Sequence, residues 1–111
     1  MIIAVGMDLV EIARIERAMR QRRFLDKVLT EAERLQCRTP QQVAGRWAAK
    51  EAAMKCMKRK LTFRHFEILR DPSGAPNLRF LGVPEMEGVR AHVSITHERG
   101  MAAAVVVLEQ S

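Results

Sequence analysis

The sequence predicts an α+β domain, with helices mainly in the first half packed on a largely antiparallel β-sheet. Two observations carry that prediction. The first half holds capping-box signals, among them Thr30 with Glu33 and Thr39 with Gln42, each ahead of a helix-compatible stretch. The second half changes to period-two alternation and turn-rich punctuation, seen in Ala91 to Thr96 and in Asp71-Pro72-Ser73-Gly74-Ala75-Pro76. The 111 residues suit one domain over 1–111, and 48% hydrophobic residues exceed what a disordered chain carries. A core this small gains from burial against another subunit.

Taken in order, Ile2 to Met7 is β-branched-rich and reads as a strand. Asp8 and Glu11 have capping-box spacing, which predicts a helix from Asp8 with an apolar line Leu9, Ile12, Ile15 and Met19. Arg14 and Arg17 then fall on an exposed face. Thr30 opens a short helix to about Cys37. Thr39-Pro40 opens a longer one to about Met57, with Val43, Trp47, Met54 and Met57 as its apolar stripe. Lys58-Arg59-Lys60 suits that helix's C-terminus. Phe66 to Leu69 and Leu78 to Leu81 read as strands either side of the turn-rich segment. In the next strand Ala91, Val93 and Ile95 share one face, and Glu98-Arg99-Gly100 makes the return turn. Met101 to Leu108 is apolar on both faces, so that strand is expected at the centre or in a subunit contact.

The composition excludes several classes. Cys37 and Cys56 lack CxxC spacing, so neither a disulfide scaffold nor a zinc site is expected. No stretch reads as a targeting segment or is long enough to span a bilayer, and the protein reads as cytoplasmic with no membrane partner. The formal charge is +6, and it is clustered. Five arginines lie between Arg14 and Arg23, and five more cations lie between Lys55 and Arg64. Such clusters suit an anionic partner or, equally, a solvated surface. A nucleic-acid partner is not expected, because the chain has no Tyr and its one Trp lies on the stripe of an amphipathic helix.

Asp8 and Glu51 are hard oxygen donors from distant segments, the kind magnesium takes alongside water and phosphate oxygens. Trp47, Glu51 and Lys55 follow at i, i+4 and i+8, which sets a carboxylate beside an ammonium. Such a group could neutralise charge on a pyrophosphate. Each residue also has a plainer reading. Asp8 can cap a helix, and Glu51 with Lys55 can be a surface pair worth roughly 0.2–0.5 kcal/mol. Trp47 can be core, and His97 can be structural. Spacing does not choose between the two readings.

A resemblance adds to them. Val5-Gly6-Met7-Asp8 followed by Arg46-Trp47-Ala48-Ala49-Lys50-Glu51-Ala52-Ala53-Met54-Lys55 resembles the two signature segments of phosphopantetheinyl transferases, including their separation of 43 positions from Asp8 to Glu51. Leu29-Thr30-Glu31-Ala32-Glu33, the turn-rich segment and His92-Val93-Ser94-Ile95-Thr96-His97 are similar to the short, single-domain holo-acyl-carrier-protein synthase group. The resemblance implies transfer of the phosphopantetheine of coenzyme A to a serine of an apo acyl carrier protein, releasing adenosine 3',5'-bisphosphate. It implies Mg2+ on Asp8 and Glu51, catalytic roles for Glu51 and Lys55, and contact of Arg46, Lys55 and His97 with coenzyme phosphates. It places carrier docking on Arg14, Arg17 and Arg20, and implies a homotrimer with active sites between subunits. The chain departs from the group in two places. Cys56-Met57-Lys58-Arg59-Lys60 stands where a Gly-Thr-Gly loop is usual, so Lys58 is expected to supply coenzyme contact by charge. Glu98 follows His97 where a small hydroxyl residue is common. An inert homologue that only binds an acidic carrier is the alternative, and a small basic nucleic-acid-binding domain is a weaker one.

Overall fold

A computed structural model describes residues 1–111. The chain runs β1 (Ile2–Glu11), α1 (Ile12–Ala18), α2 (Arg22–Val28), α3 (Glu31–Gln36), α4 (Pro40–Lys55), β2 (Phe66–Arg70), β3 (Pro76–Phe80), β4 (Val89–Glu98) and β5 (Met101–Gln110). Single 3-10 turns at Phe63–His65 and Pro84–Met86 sit in the connections. Three strands form an antiparallel sheet in the order β1-β5-β4, and β2 with β3 forms a separate hairpin. The α+β expectation holds, and so does the central place of the last strand.

The Thr30 and Thr39 capping boxes are both made. The Thr30 hydroxyl accepts from the Glu33 amide while the Glu33 carboxylate accepts from the Thr30 amide, and Thr39 with Gln42 does the same. Pro40 takes the first position of α4. The β4–β5 return is a two-residue turn with φ of 42° at Arg99 and 81° at Gly100, the positive values that match the twist of a hairpin.

Several expectations are corrected. Asp8 caps no helix. It lies in β1, opposite Ala104, and β1 continues to Glu11 opposite Met101. Pairing with β5 outweighs the local capping signal, and α1 starts only at Ile12 without a side-chain cap. Leu9, expected on the helix stripe, is consequently on the exposed face of the strand. The arginine run is divided between two helices, with Arg20 in the turn between α1 and α2. Finally, α4 ends at Lys55, so Lys58-Arg59-Lys60 is exposed loop rather than helix terminus.

The buried face of α4 also differs from the expected stripe. It is made of Val43, Ala44, Ala48, Ala49, Ala52 and Ala53, while Trp47 and Met54 are half-buried. Small side chains let the helix lie close on the sheet, where Ala102, Ala104, Val106 and Leu108 of β5 meet it. A polar cluster is buried on another side. Lys50 and Glu33 are both 0% exposed, and Lys50 donates to the Glu33 carboxylate and to the Val28 carbonyl. Glu33 also accepts from the Ile68 amide, which ties α3 and α4 to β2.

Candidate functional site

Along β1, Ala4, Gly6, Asp8 and Val10 face inward toward α4, and Ile3, Val5, Met7 and Leu9 face outward. Alternation therefore directs Asp8 at the last turns of α4. There Lys55 donates to the Met7 carbonyl at 2.7 Å and pairs with Asp8 Oδ1 at 3.1 Å. The Lys55 side chain is 55% exposed and that of Asp8 17%, so the pair opens to solvent on the lysine's side. Glu51, one turn earlier on the same helix, is half-buried beside them. Burial pushes its carboxyl above the ordinary value, and the Asp8 carboxylate pushes it further. Lys55 and Arg14 pull it back down.

Two carboxylates that repel one another next to a solvent opening suit a divalent cation. No group of three or more His, Cys, Asp or Glu side chains surrounds them. Two hard oxygens from the protein, with the other coordination positions filled by water and phosphate, would match the way magnesium is usually held. The residues fit that ion and do not fit a structural zinc site.

The remaining expected site residues do not all converge here. Arg46 is 1% exposed and turned inward. It donates to the Ile68 carbonyl and to Gln36 Oε1, so in the single chain it braces α4 against β2 and α3 instead of meeting a phosphate. His97 lies near the start of α4, donating from Nε2 to the Gln41 carbonyl. A side chain at Gly45 would approach His97 Nε2 to 3.2 Å. Gly45 and Lys55 are ten residues apart on α4, about 15 Å along the helix axis. His97 shares a cleft of about 230 Å3 with Arg70, Gly74, Pro76 and Ile95. Arg70 is a cation that the sequence reading missed, because only the β2–β3 hairpin brings it to His97.

Lys58 is exposed in the loop after α4, on the wall of a second cleft of about 510 Å3 lined also by Ile3, Ala4, Cys56, Arg59 and Glu85. Arg59 crosses this wall to a two-pronged pair with Glu85. Glu85 has no motif around it and could not have been found from the sequence. Glu98, the second departure from the family pattern, lies 3.7 Å from Arg99 on the open hairpin tip, turned to solvent.

Arg14, Arg17 and Arg20 are all exposed. Arg14 differs from the other two in having a fixed partner. Its guanidinium lies over the Trp47 ring, 5.7 Å from the centroid.

A sequence model of the 4'-phosphopantetheinyl transferase superfamily matches residues 4–106. The chain is similar to the holo-[acyl-carrier-protein] synthase of Maridesulfovibrio salexigens, with 44% identity over 99% of this chain and 100% of that protein. It is also similar to that of an Exiguobacterium strain, with 41% identity over 99% and 94%. Among solved structures it is similar to a holo-(acyl-carrier-protein) synthase from Bacillus anthracis in complex with CoA (3',5'-ADP). That match has a TM-score of 0.85, 34% identity, and covers 100% of this chain and 99% of the other. The Helicobacter pylori holo-[acyl-carrier-protein] synthase in complex with coenzyme A gives a TM-score of 0.85 at 31% identity, covering 95% and 99%.

Proposed function

The chain belongs to the 4'-phosphopantetheinyl transferase superfamily and transfers phosphopantetheine from coenzyme A to an apo acyl carrier protein, and we propose that it does so with Mg2+ held by Asp8 and Glu51. The observation that carries the metal assignment is the cluster of Asp8, Glu51 and Lys55, assembled from β1 and α4 at a solvent opening. When bound, the metal supplies positive charge to the pyrophosphate oxygens.

The chain's own residues account for the rest. Lys55 is the cation nearest the carboxylate pair. By exchanging its bond to Asp8 for a phosphate oxygen, it neutralises charge building on the leaving nucleotide. Glu51 takes the proton of the carrier serine as the serine oxygen bonds to the β-phosphorus of coenzyme A. The bond from that phosphorus to the nucleotide breaks, and adenosine 3',5'-bisphosphate leaves. Lys58 contributes charge on the coenzyme side, and Arg14, Arg17 and Arg20 form the face that meets an acidic carrier protein.

The active unit in this reading is a homotrimer in the cytoplasm. The outward residues of β1 support it: Ile3, Val5, Met7 and Leu9 are 44%, 59%, 64% and 63% exposed on one sheet face, an unusual apolar surface for a lone domain. His97 and Arg70, some distance along α4 from Lys55, then serve the site of a neighbouring subunit. No helix is long and apolar enough to cross a membrane.

The metal assignment is tested by titrating Mn2+ in the presence of coenzyme A and following free Mn2+ by electron paramagnetic resonance. Wild type should bind the ion, while Asp8→Asn and Glu51→Gln should bind it at least about tenfold more weakly. Equal binding by all three would overturn it.

A further inference from the structure

Trp47 stands at the centre of an aromatic ladder. Its ring lies 5.7 Å from that of Phe24 and 4.6 Å from that of Phe63, at interplanar angles of 23° and 31°. The three side chains come from α2, α4 and the turn before β2, so the indole cannot swing without displacing rings on both sides. Arg14, on α1, lays its guanidinium over that fixed ring. A free surface arginine samples many rotamers, and those it loses on pairing weaken the pairing. An arginine stacked on an immobile indole has already lost them.

We propose that Trp47 is a positioning residue for carrier-protein recognition, acting through Arg14 by holding its guanidinium in a docking-ready orientation beside the catalytic carboxylates. Arg17 and Arg20 have no aromatic partner, so Arg14 is the one arginine of this face with a preset direction. Trp47 and Glu51 lie four residues apart on one face of α4, so the guanidinium held over the indole stands on the side of the helix where the serine must arrive. An acidic carrier side chain meeting Arg14 therefore registers the carrier relative to the chemistry as well as attracting it. The inference rests on the proposal that this arginine face receives the carrier.

Steady-state transfer is measured with coenzyme A, Mg2+ and an apo acyl carrier protein for wild type, Trp47→Leu, Trp47→Phe, Arg14→Ala and the Trp47→Leu/Arg14→Ala double variant. Trp47→Leu should raise the KM for carrier about two- to fivefold, the worth of a cation–π contact at an exposed site. The KM for coenzyme A should stay at the wild-type value. Trp47→Phe should recover most of the loss, and the double variant should match Arg14→Ala alone. Multiplying effects in the double variant, or a change confined to the coenzyme A KM, would overturn the inference. An unchanged carrier KM in Arg14→Ala would instead overturn the docking proposal beneath it.

A second readout needs no substitution at Trp47. It is the sole tryptophan, so its emission should change as apo carrier is titrated into wild type and should not change in Arg14→Ala. The same emission change in both proteins would contradict the inference even if Trp47→Leu fails to fold.

Discussion

Gly6 of β1 and Ala52 of α4 are in such close contact that a methyl group on Gly6 would come within 2.1 Å of the Ala52 carbonyl oxygen. That contact sets the distance between strand and helix, and Asp8 is the next inward residue of the strand. Helix backbone, unlike a flexible side chain, cannot step aside. Gly6→Ala should therefore push α4 off β1, costing about 1–3 kcal/mol in chemical denaturation. Because Asp8 and Lys55 lie just beyond the contact, kcat should fall at least about tenfold even where the variant is fully folded. Wild-type kcat in folded Gly6→Ala would show that this spacing does not set the site.

The sequence made some of this legible and hid the rest for physical reasons. Thr30–Glu33 and Thr39–Gln42 were readable because a capping box is satisfied within four residues. Asp8–Glu11 has the same spacing and misled, because strand pairing with β5 is a long-range interaction that local spacing cannot register. The buried face of α4 is hard to read from sequence because alanines carry little hydrophobic signal yet allow the closest packing. The proposal that Asp8, Glu51 and Lys55 act together rests on resemblance, and the fold adds their proximity. Glu85 opposite Arg59 and Arg70 beside His97 were not identifiable, since each depends on a hairpin or connection that only the fold brings near.

Lys50 and Glu33 form a wholly buried pair whose remaining hydrogen-bonding capacity is met by Val28, Thr30 and Ile68. Removing one charge strands the other. Lys50→Met should cost about 3–5 kcal/mol in urea unfolding. A loss under about 1 kcal/mol would mean that water reaches the pair, as for a surface bridge.

Glu67 gives a pH signature. Hydrogen bonding from Thr30, at 2.6 Å, and then from Arg79, at 2.9 Å, holds its carboxyl below the ordinary value. A depressed carboxyl contributes stability that is complete above its unfolded pKa, about 4.3 for Glu. That stability is lost as pH falls through the lower folded value. Glu67→Gln should have a lower Tm than wild type at pH 7, and the difference should narrow as pH drops below about 4. A Tm difference independent of pH between 7 and 3 would remove the charge of Glu67 from the account.

Lys58 and Arg59 should differ in their effect on coenzyme A. Arg59 is engaged by Glu85, while Lys58 is exposed on the same cleft without a carboxylate partner. Lys58→Ser should raise the coenzyme A KM about two- to fivefold at low salt, and the gap should shrink as added salt screens the wild-type lysine. Unchanged coenzyme A kinetics would make the loop a solvated connection only.

The central claim is that Asp8 and Glu51 form the metal-dependent centre of phosphopantetheine transfer, and the mass of the carrier protein tests it most directly. Apo carrier is incubated with coenzyme A, Mg2+ and either wild type or Glu51→Gln, then weighed. Wild type should add one phosphopantetheine to every carrier, and chelation should stop it until Mg2+ or Mn2+ is restored. Glu51→Gln should be slower by on the order of 100-fold or more. Its Tm should be unchanged or slightly higher, because the amide removes a charge that burial and Asp8 disfavour. An unmodified carrier with wild type, or modification by Glu51→Gln at the wild-type rate, would contradict the account.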